Sequence, residues 1–363
     1  MSEMKEIIIE SVTRILEKYS TKEVVNDSEN GKWASDLWEQ LAENGMITVA
    51  IPEKFGGNGG DFADAFSILR LVGKYSAPIP LAETFLTNWI LMKLGENVTD
   101  EIKTLAFSKD PSQIQFRKNG NGLIVSGRAN HVPWARYAQK MLVFGVMSGD
   151  PTVALIPLED VEIIQGKNIA GEPRDEVIFN NVYMENCQSI KVDRDVQKKA
   201  VLYGGALVRI AMMSGALEKI MDITVQYTNE RSQFGRPIHR FQAIQHQLAL
   251  LAGEVASART AANCAFNAYE KNMQSKEIAY AKIRVNEAAG KAAAIAHQVL
   301  AAIGFTYEHT LHHSTRRLWS WRDEFGTETD WARIVTDEIL TLKQNGLWSL
   351  ITGVENKHEK VEL

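Results

Sequence analysis

Residues 230–249 read ERSQFGRPIHRFQAIQHQLA and lie between two long segments whose apolar residues recur at helical spacing. The segment before them carries one stripe of apolar and small residues, formed by Leu207, Ile210, Ala211, Ser214, Leu217 and Met221. The segment after them has no proline from Phe241 to Glu270 and is rich in alanine and leucine, which are strong helix formers. Helices of this length usually pack as a bundle, so the sequence predicts a helical bundle over residues 194–363.

Two further regions precede this bundle. Residues 1–105 again show helical spacing, for example at Leu37, Leu41 and Met46. Residues 106–193 contain short β-type runs such as GLIVSG, KMLVFGVM and TVALIPL, separated by Gly, Asp, Asn and Pro turn signals. The sequence therefore predicts an N-terminal helical domain (1–105), a middle β domain (106–193) and a C-terminal helical bundle (194–363).

Composition excludes several classes of function. The net charge of -5 and the sequence pI near 6.0 provide no basic field of the kind that attracts nucleic acid. The two cysteines, Cys187 and Cys264, are far apart and outside any Cys/His cluster, which argues against a disulfide framework or a zinc site and favours a reducing cytoplasm. Because no stretch approaches the roughly 20 apolar residues that cross a bilayer, we expect no membrane span.

Three motifs resemble those of the acyl-CoA dehydrogenase family. They are ERSQFGRPIHRFQAIQHQLA at 230–249, IPEKFGG at 51–57 and IGFTYEHTLHHSTRR at 303–317. The resemblance implies an α+β, mostly α fold, with an N-terminal helical domain, a middle β domain and a C-terminal four-helix bundle. The run Tyr307-Glu308-His309 resembles the branch that acts on bulky acyl-CoA thioesters, including steroid side chains, often as two unlike subunits.

The resemblance also implies a cofactor, FAD, held between the β domain and the bundle and touched by the neighbouring subunit. Arg231, Gln233 and Phe234 match the residues that meet the neighbour's FAD, where fixed cations suit a pyrophosphate. The remaining cofactor-binding positions implied by the resemblance are Ile238, Phe241, Ile244, Gln298, Gly304 and Thr327. Alternatives are a surface ion pair for Arg231 and plain core packing for Phe241 and Ile244.

The catalytic carboxylate of the family is missing from both of its usual positions. The family's reaction removes the α-proton of a thioester with a carboxylate, which needs a base within hydrogen-bond reach and a raised pKa. The two matching positions hold Phe325 and Gly205. Glu324 is the candidate catalytic residue, because a one-residue change of loop path brings it into use. The alternative is that Arg322, Asp323 and Glu324 form a solvated loop with weak ion pairs.

The β domain departs from the family as well. Ser108-Lys109-Asp110-Pro111-Ser112 replaces a glycine- and serine-rich loop that supplies donors to the flavin and the thioester. His131 and Pro133 stand where a Trp and a Thr shield the flavin and bond its N5, and proline has no N–H or hydroxyl to donate. Trp134 either stacks on a ring or is a buried tryptophan without a ligand.

A cluster of histidines lies within the third motif. Glu308, His309, His312 and His313 recur at helical spacing. We interpret them as groups on a helix surface, and we expect no metal site.

These observations lead to two main hypotheses. The first is an acyl-CoA dehydrogenase that performs α,β-dehydrogenation of an acyl-CoA with FAD as hydride acceptor, within an oligomer. The alternative is a non-catalytic subunit of a heteromeric acyl-CoA dehydrogenase that completes its partner's FAD site. The resemblance implies electron-transfer flavoprotein as acceptor and assembly as a homo- or hetero-oligomer, a dimer of dimers. A relative with altered chemistry, such as an oxidase or a dehydratase, is a third possibility.

Overall fold

The computed structural model describes residues 3–106, 111–271, 276–342 and 347. It contains a helical region, a sheet and a second helical region in that order, which confirms the predicted α+β fold class. The predicted boundary at residue 106 falls at the end of the first strand.

The N-terminal region consists of helices that share one apolar core with the bundle. Its helices are α1 (Glu3–Tyr19), α2 (Lys22–Glu29), α3 (Ser35–Glu43), α4 (Phe62–Lys74) and α5 (Leu81–Lys93). The start of α4 is fixed by a capping box, in which the Asp61 and Asp64 side chains each accept a hydrogen bond from the other residue's backbone N–H. The glycine-rich segment before it forms the loop that leads from α3 to α4.

The middle region is a single mixed sheet with its own apolar core. Its strands are β1 (Lys103–Ala106), β2 (Ile114–Asn119), β3 (Gly122–Pro133), β4 (Lys140–Met147), β5 (Asp150–Pro157), β6 (Glu162–Ile164), β7 (Arg174–Met184) and β8 (Ser189–Lys191). The order is β6-β7-β3-β2-β4-β5-β8, and β1 pairs with β4 in parallel. The long antiparallel pair β3/β7 sets Pro133 opposite Arg174, which brings the end of β3 beside the start of β7.

The C-terminal region is built around one helix of 37 residues. Its helices are α6 (Arg194–Glu230), α7 (Gln242–Lys271), α8 (Lys276–Leu300), α9 (Leu311–Asp323) and α10 (Glu328–Leu340). A small hairpin, β9 (Ser232–Gln233) and β10 (Arg236–Pro237), connects α6 to α7. The N-terminal region docks here through close backbone contact between α4 and α6. A Cβ at Gly73 would lie 1.9 Å from the Met212 carbonyl oxygen, so only glycine permits this contact.

Among the residues that the structure describes, two helices are long and apolar enough to cross a membrane by length and composition alone. They cover Lys199–Glu230 and Lys276–Phe305, and the apolar window is 83% buried in the first and 50% buried in the second. The first is the central helix of the bundle, and such a core helix passes the same test of length and composition.

Candidate functional site

The two positions that hold the family's carboxylate are in contact in this chain. Gly205 lies on α6 and Phe325 lies in the loop between α9 and α10. A Cβ built on Gly205 would be 2.1 Å from Cδ1 of Phe325, so the phenyl ring lies directly on the glycine backbone. The Phe325 ring therefore occupies the space where a carboxylate at either of these two positions would lie.

Glu324 is held between two arginines. One carboxylate oxygen accepts hydrogen bonds from Nε and Nη2 of Arg174 at 2.8 and 2.6 Å, and the other accepts from Nε of Arg209 at 2.6 Å. Arg174 begins β7 and Arg209 lies on α6, and both side chains are buried. The carboxylate thus joins the β domain to the bundle, in the interval where the family resemblance places the flavin.

Two further carboxylates extend this group. Nη2 of Arg209 donates to Glu83 on α5 at 2.5 Å, and Nη2 of Arg174 donates to Glu172 at 3.1 Å. Glu83 and Glu172 are buried. We call these five residues, Glu83, Glu172, Arg174, Arg209 and Glu324, the interdomain ion network. It contains side chains from all three regions of the chain.

The interdomain ion network fixes the charge of Glu324. Burial by itself raises the pKa of this carboxyl, but the charges of Arg174 and Arg209 and their hydrogen bonds outweigh burial and lower the pKa to about 2. A carboxylate with such a low pKa accepts protons poorly, and both of its oxygens are already hydrogen-bonded. The geometry therefore does not favour the predicted role of Glu324 as catalytic base. The alternative of a solvated loop does not describe Glu324 either, because its partners are buried arginines.

The loop after Glu324 has a strained backbone and ends at the N-cap of α10. Phe325 has φ of 54° and Gly326 has φ of 103°, both in the left-handed region. Thr327 is the N-cap of α10, where its hydroxyl accepts from the backbone N–H of Asp330 and donates to that residue's carboxylate. The Thr327 hydroxyl, predicted to contact the cofactor, is thus engaged in holding α10.

On the β-domain side, two of the family's flavin contacts are replaced. Residues 107–110, which include Ser108, lie outside the described residues. His131 is exposed with φ of 55°, and Pro133 is half-buried with its carbonyl accepting a 2.5 Å hydrogen bond from Thr104. Neither side chain stands as a hydrogen-bond donor toward the bundle.

Trp134 is a buried structural tryptophan. Its ring centroid lies 6.5 Å from that of Trp33 and 6.2 Å from that of Tyr137. The Tyr137 hydroxyl donates to the Gly31 carbonyl, so this aromatic group connects the N-terminal helices to the sheet. Of the two readings from the sequence, the geometry favours the tryptophan without a ligand.

The hairpin between α6 and α7 presents its side chains to solvent. Arg231, Gln233 and Phe234 are exposed, and Phe234 is 91% exposed at the tip with φ of 51°. Within the described part of the chain, Arg231 and Gln233 have no side-chain hydrogen bond or ion pair. The surface ion pair considered for Arg231 is therefore absent there, and both side chains offer free donors for a ligand.

The predicted residues that follow the hairpin are less accessible. Ile238 is buried, whereas Phe241 and Ile244 are half-buried. The guanidinium of Arg236 lies 4.3 Å above the Phe241 ring, and the Phe234 ring packs edge-on against it at 6.2 Å. Phe241 thus packs within the exposed hairpin, and cofactor contact by Ile238, Phe241 and Ile244 stays a prediction.

The two predicted residues at and just before the third motif differ in exposure. Gln298, near the end of α8, is exposed, and none of the described residues bonds its side chain. Gly304 is buried, and a Cβ there would lie 3.0 Å from Cβ of Leu300. Gly304 therefore shapes the turn after α8, while Gln298 offers donors to solvent.

The histidines are not surface groups, which corrects the sequence-based interpretation. His312 and His313 are buried, His309 is half-buried and only Glu308 is exposed. They lie in the turn before α9 and in its first turn, which packs against α2. The apolar spacing of α9 did not reveal this contact, because α2 is far away in the sequence.

Two of these histidines and the half-buried Glu29 have the spacing of metal ligands. One atom each of Glu29, His312 and His313 lies within 4.8 Å of the others. Glu29 is already paired with Arg316 at 2.7 Å and with Arg317 at 3.2 Å. Burial and these arginines lower the pKa of His313 to about 2, so the surroundings disfavour added positive charge. The expectation of no metal site stays a prediction that this electrostatic environment supports.

Sequence reasoning missed four members of the interdomain ion network. Glu83, Glu172, Arg174 and Arg209 were not recognised as site residues. One local signal was present, because Arg209 interrupts the apolar run LVRIAMM on a helix that is otherwise buried. A buried arginine requires a carboxylate partner, but the sequence does not identify which one.

Comparisons with known proteins agree with this fold and motif set. The description "Acyl-CoA dehydrogenase, N-terminal domain" matches residues 2–104, and "Acyl-CoA dehydrogenase, C-terminal domain" matches residues 195–337. The chain belongs to the acyl-CoA dehydrogenase family, which comprises FAD-dependent oxidoreductases acting on CH–CH groups.

Individual relatives are similar to this chain over most of its length. The acyl-CoA dehydrogenase IpdE2 of Mycolicibacterium smegmatis is 28% identical over 319 residues, which cover 86% of this chain and 91% of the relative. The ChsE4-ChsE5 complex from Mycobacterium tuberculosis superposes with a TM-score of 0.84 at 21% identity, covering 95% of this chain and 99% of the other. The Tcur3481-Tcur3483 steroid ACAD variant gives 0.82 at 21% identity, with coverages of 93% and 98%.

Proposed function

We propose that this chain is the non-catalytic subunit of a heteromeric acyl-CoA dehydrogenase and that its hairpin completes the FAD site of an unlike partner. In this proposal the partner belongs to the same family, binds the flavin and supplies the base. The proposal chooses the second hypothesis from the sequence over an autonomous enzyme that uses Glu324.

The charge state of Glu324 carries this proposal. An α-proton of a thioester is weakly acidic, so its removal needs a base with an elevated pKa that is free to accept the proton. Glu324 has the opposite properties, because Arg174 and Arg209 hold it ionised. The adjacent Phe325 covers Gly205, so neither of the family's positions offers a replacement.

The interdomain ion network also argues against a flavin held by this chain alone. Its ion pairs connect β7 with α6 and with the loop after α9. An isoalloxazine ring between these elements would have to displace buried charges, each of which would lose its partner. The residues here do not fit the reactive half of the cofactor.

The exposed hairpin has the features expected of a segment that contributes residues to the cofactor site of a neighbouring subunit. Arg231 and Gln233 are exposed and without partners among the described residues, and Gln298 is exposed at the end of α8. Arginine and amide donors are suited to phosphate oxygens. These residues are consistent with contact to the pyrophosphate half of a partner's FAD.

The proposal extends to partners and location. The ChsE4-ChsE5 structure is a complex of two named components, and the Tcur3481-Tcur3483 structure is a steroid ACAD. By analogy, we propose a bulky or steroid-type acyl-CoA as the substrate of the assembled enzyme and a dimer of dimers as its form. Electron-transfer flavoprotein is the proposed acceptor, and the cytoplasm the proposed location.

The proposal is tested by the visible absorption spectrum of the pure chain, produced alone and together with a family member that carries the carboxylate. We expect a colourless protein alone and a stoichiometric flavin spectrum for the co-purified complex, bleached by an acyl-CoA. A flavin spectrum from the chain alone, bleached by an acyl-CoA, would instead establish the autonomous enzyme.

Substitution of Arg231 refines this test. Arg231→Ala should lower the affinity of the complex for FAD about tenfold or more, because one hydrogen bond to a charged group is lost. Arg14→Ala is the matched control, since Arg14 is an exposed arginine on α1 paired only with Glu10 among the described residues. Equal flavin retention in both variants would show that the hairpin does not hold the cofactor.

A further inference from the structure

A polar pocket lies on the side of the molecule where the N-terminal helices meet the bundle. Its walls come from the ends of α1 and α4, the starts of α2 and α9, and the middle of α6. We call it the basic pocket, and its lining residues are Ser20, Lys22, Val25, Lys74, Tyr75, Ser76, Lys219, Thr310, His313 and Ser314. The cavity volume is about 130 Å³, which leaves room for a group of the size of phosphate.

The charged lining of this pocket is entirely of one sign. Lys22, Lys74 and Lys219 all face it and are half-buried, and no Asp or Glu is among the lining residues. Lys74 is paired at its rim with the exposed Asp222 at 2.8 Å, and Lys22 donates to the Glu308 carbonyl. Three lysines around one space repel each other, and this cost is offset when an anion is bound between them.

Lys219 is the lysine best placed to receive a ligand. It lies on α6, and no described residue forms an ion pair or hydrogen bond with its ammonium group. The ammonium group is a strongly hydrated point charge, which is suited to contact with a phosphate oxygen.

Buried hydroxyl groups add donors to the pocket. Ser314 is only 1% exposed, yet its hydroxyl has no hydrogen-bond partner among the described residues. Ser76 is also buried, has φ of 52°, and its hydroxyl is likewise without a partner in that part of the chain. Both hydroxyl oxygens are accessible from the cavity, so they can donate hydrogen bonds to a ligand bound there.

Two helices also begin at this pocket. Lys22 is the first residue of α2, and Thr310 is the N-cap of α9, where its side chain makes no capping hydrogen bond. The N-terminus of a helix carries partial positive charge, which favours an anion. The helix ends thus add to the field of the three lysines.

We propose that the basic pocket binds a phosphate group, either as inorganic phosphate or on a small phosphate ester. Lys219 and the Ser314 hydroxyl contact the phosphate oxygens, and Lys22 and Lys74 supply the surrounding charge. This site involves neither the interdomain ion network nor the hairpin, so it stands independently of the proposed function.

Isothermal titration calorimetry on the full chain tests the site, with inorganic phosphate and with glycerol 3-phosphate, each against chloride at matched ionic strength. We expect saturable binding of at least one phosphate compound at one site per chain. Tighter binding of glycerol 3-phosphate would assign the site to an ester, and tighter binding of inorganic phosphate would assign it to the free ion. No phosphate binding beyond that of chloride would overturn the proposal.

Two variants locate the binding. Lys219→Gln should weaken phosphate binding about tenfold, because one charge-assisted hydrogen bond is lost, and Ser314→Ala should weaken it by a smaller factor. Lys199→Gln is the matched control, since Lys199 is half-buried on the same helix about 30 Å away. Equal affinity of Lys219→Gln and Lys199→Gln would place the phosphate elsewhere and refute the site.

Discussion

The interdomain ion network and the hairpin between α6 and α7 are opposites in their use of charged side chains. In the network, Arg174 and Arg209 are buried and fully paired with carboxylates. In the hairpin, Arg231 is exposed and has no partner among the described residues. Paired, buried arginines hold a structure together, whereas unpaired, exposed arginines are available to a ligand.

This difference separates two properties that a single active site would combine. Substitutions in the network should change the stability of the chain and leave the flavin content of a purified complex unaltered. Substitutions in the hairpin should do the reverse. The comparison fails if either region controls both properties.

The largest effect is expected for Glu324→Gln. The substitution removes the shared carboxylate from Arg174 and Arg209, and breaking a buried ion pair costs about 3–5 kcal/mol of unfolding free energy. Chemical denaturation measures this loss. Asp323→Asn, at the exposed neighbouring position, is the control and should change stability by about 0.5 kcal/mol or less.

The difference in unfolding free energy between the native chain and Glu324→Gln should depend on pH. The folded pKa of Glu324 is lowered to about 2 from an ordinary value of 4.5, so the unfolded chain binds this proton more readily. The stabilisation is therefore complete above about pH 4.5 and is lost as the pH falls toward 2. The stability difference between the native chain and Glu324→Gln should shrink over this range. A difference that is the same at pH 7 and pH 3 would mean that the ionised carboxylate is not its source.

A smaller loss is expected for Gly205→Ala. The new Cβ would lie 2.1 Å from the Phe325 ring, and such overpacking costs about 1–3 kcal/mol. Gly253→Ala on α7 is the control, because no atom lies within 4 Å of its added Cβ and the helix gains up to about 1 kcal/mol. Combining Gly205→Ala with Phe325→Ala should relieve the clash, which a double-mutant cycle detects as a coupling energy. Purely additive losses would place the ring away from Gly205.

The smallest effect is expected for Thr327→Ala. Loss of the N-cap of α10 should cost about 1 kcal/mol, and Thr329→Ala at an exposed position of the same helix serves as the control. Flavin retention in the co-purified complex should be equal in the two variants. Selective loss of flavin from Thr327→Ala would assign this threonine to the cofactor and extend the flavin site beyond the hairpin.

The sequence predicted the fold because its evidence was local and repeated. Helical spacing, turn residues and three motifs each cover neighbouring positions, and all indicated the same order of regions. In the structure, Arg231 directly follows α6, Gln298 lies in the last turn of α8, and both are exposed.

The role of Glu324 could not be inferred from the sequence around it. Its partners Arg174 and Arg209 are 150 and 115 residues away in the chain, and their pairing depends on how three regions dock. His313 was misjudged for the same reason, because it contacts Asn26, which lies 287 residues away. Periodicity describes one helix at a time and gives no information about the neighbour that covers it.

The interdomain ion network also restricts the evolutionary history open to this chain. Loss of Glu324 alone would leave two buried arginines without this shared carboxylate, and loss of either arginine would leave a carboxylate without its partner. Each first mutational step away from the network therefore lowers the stability of the fold. Descendants of a chain that has acquired the whole group cannot drift back to a free base through neutral single changes. The interdomain ion network is therefore maintained by its contribution to stability, even when selection on activity is relaxed.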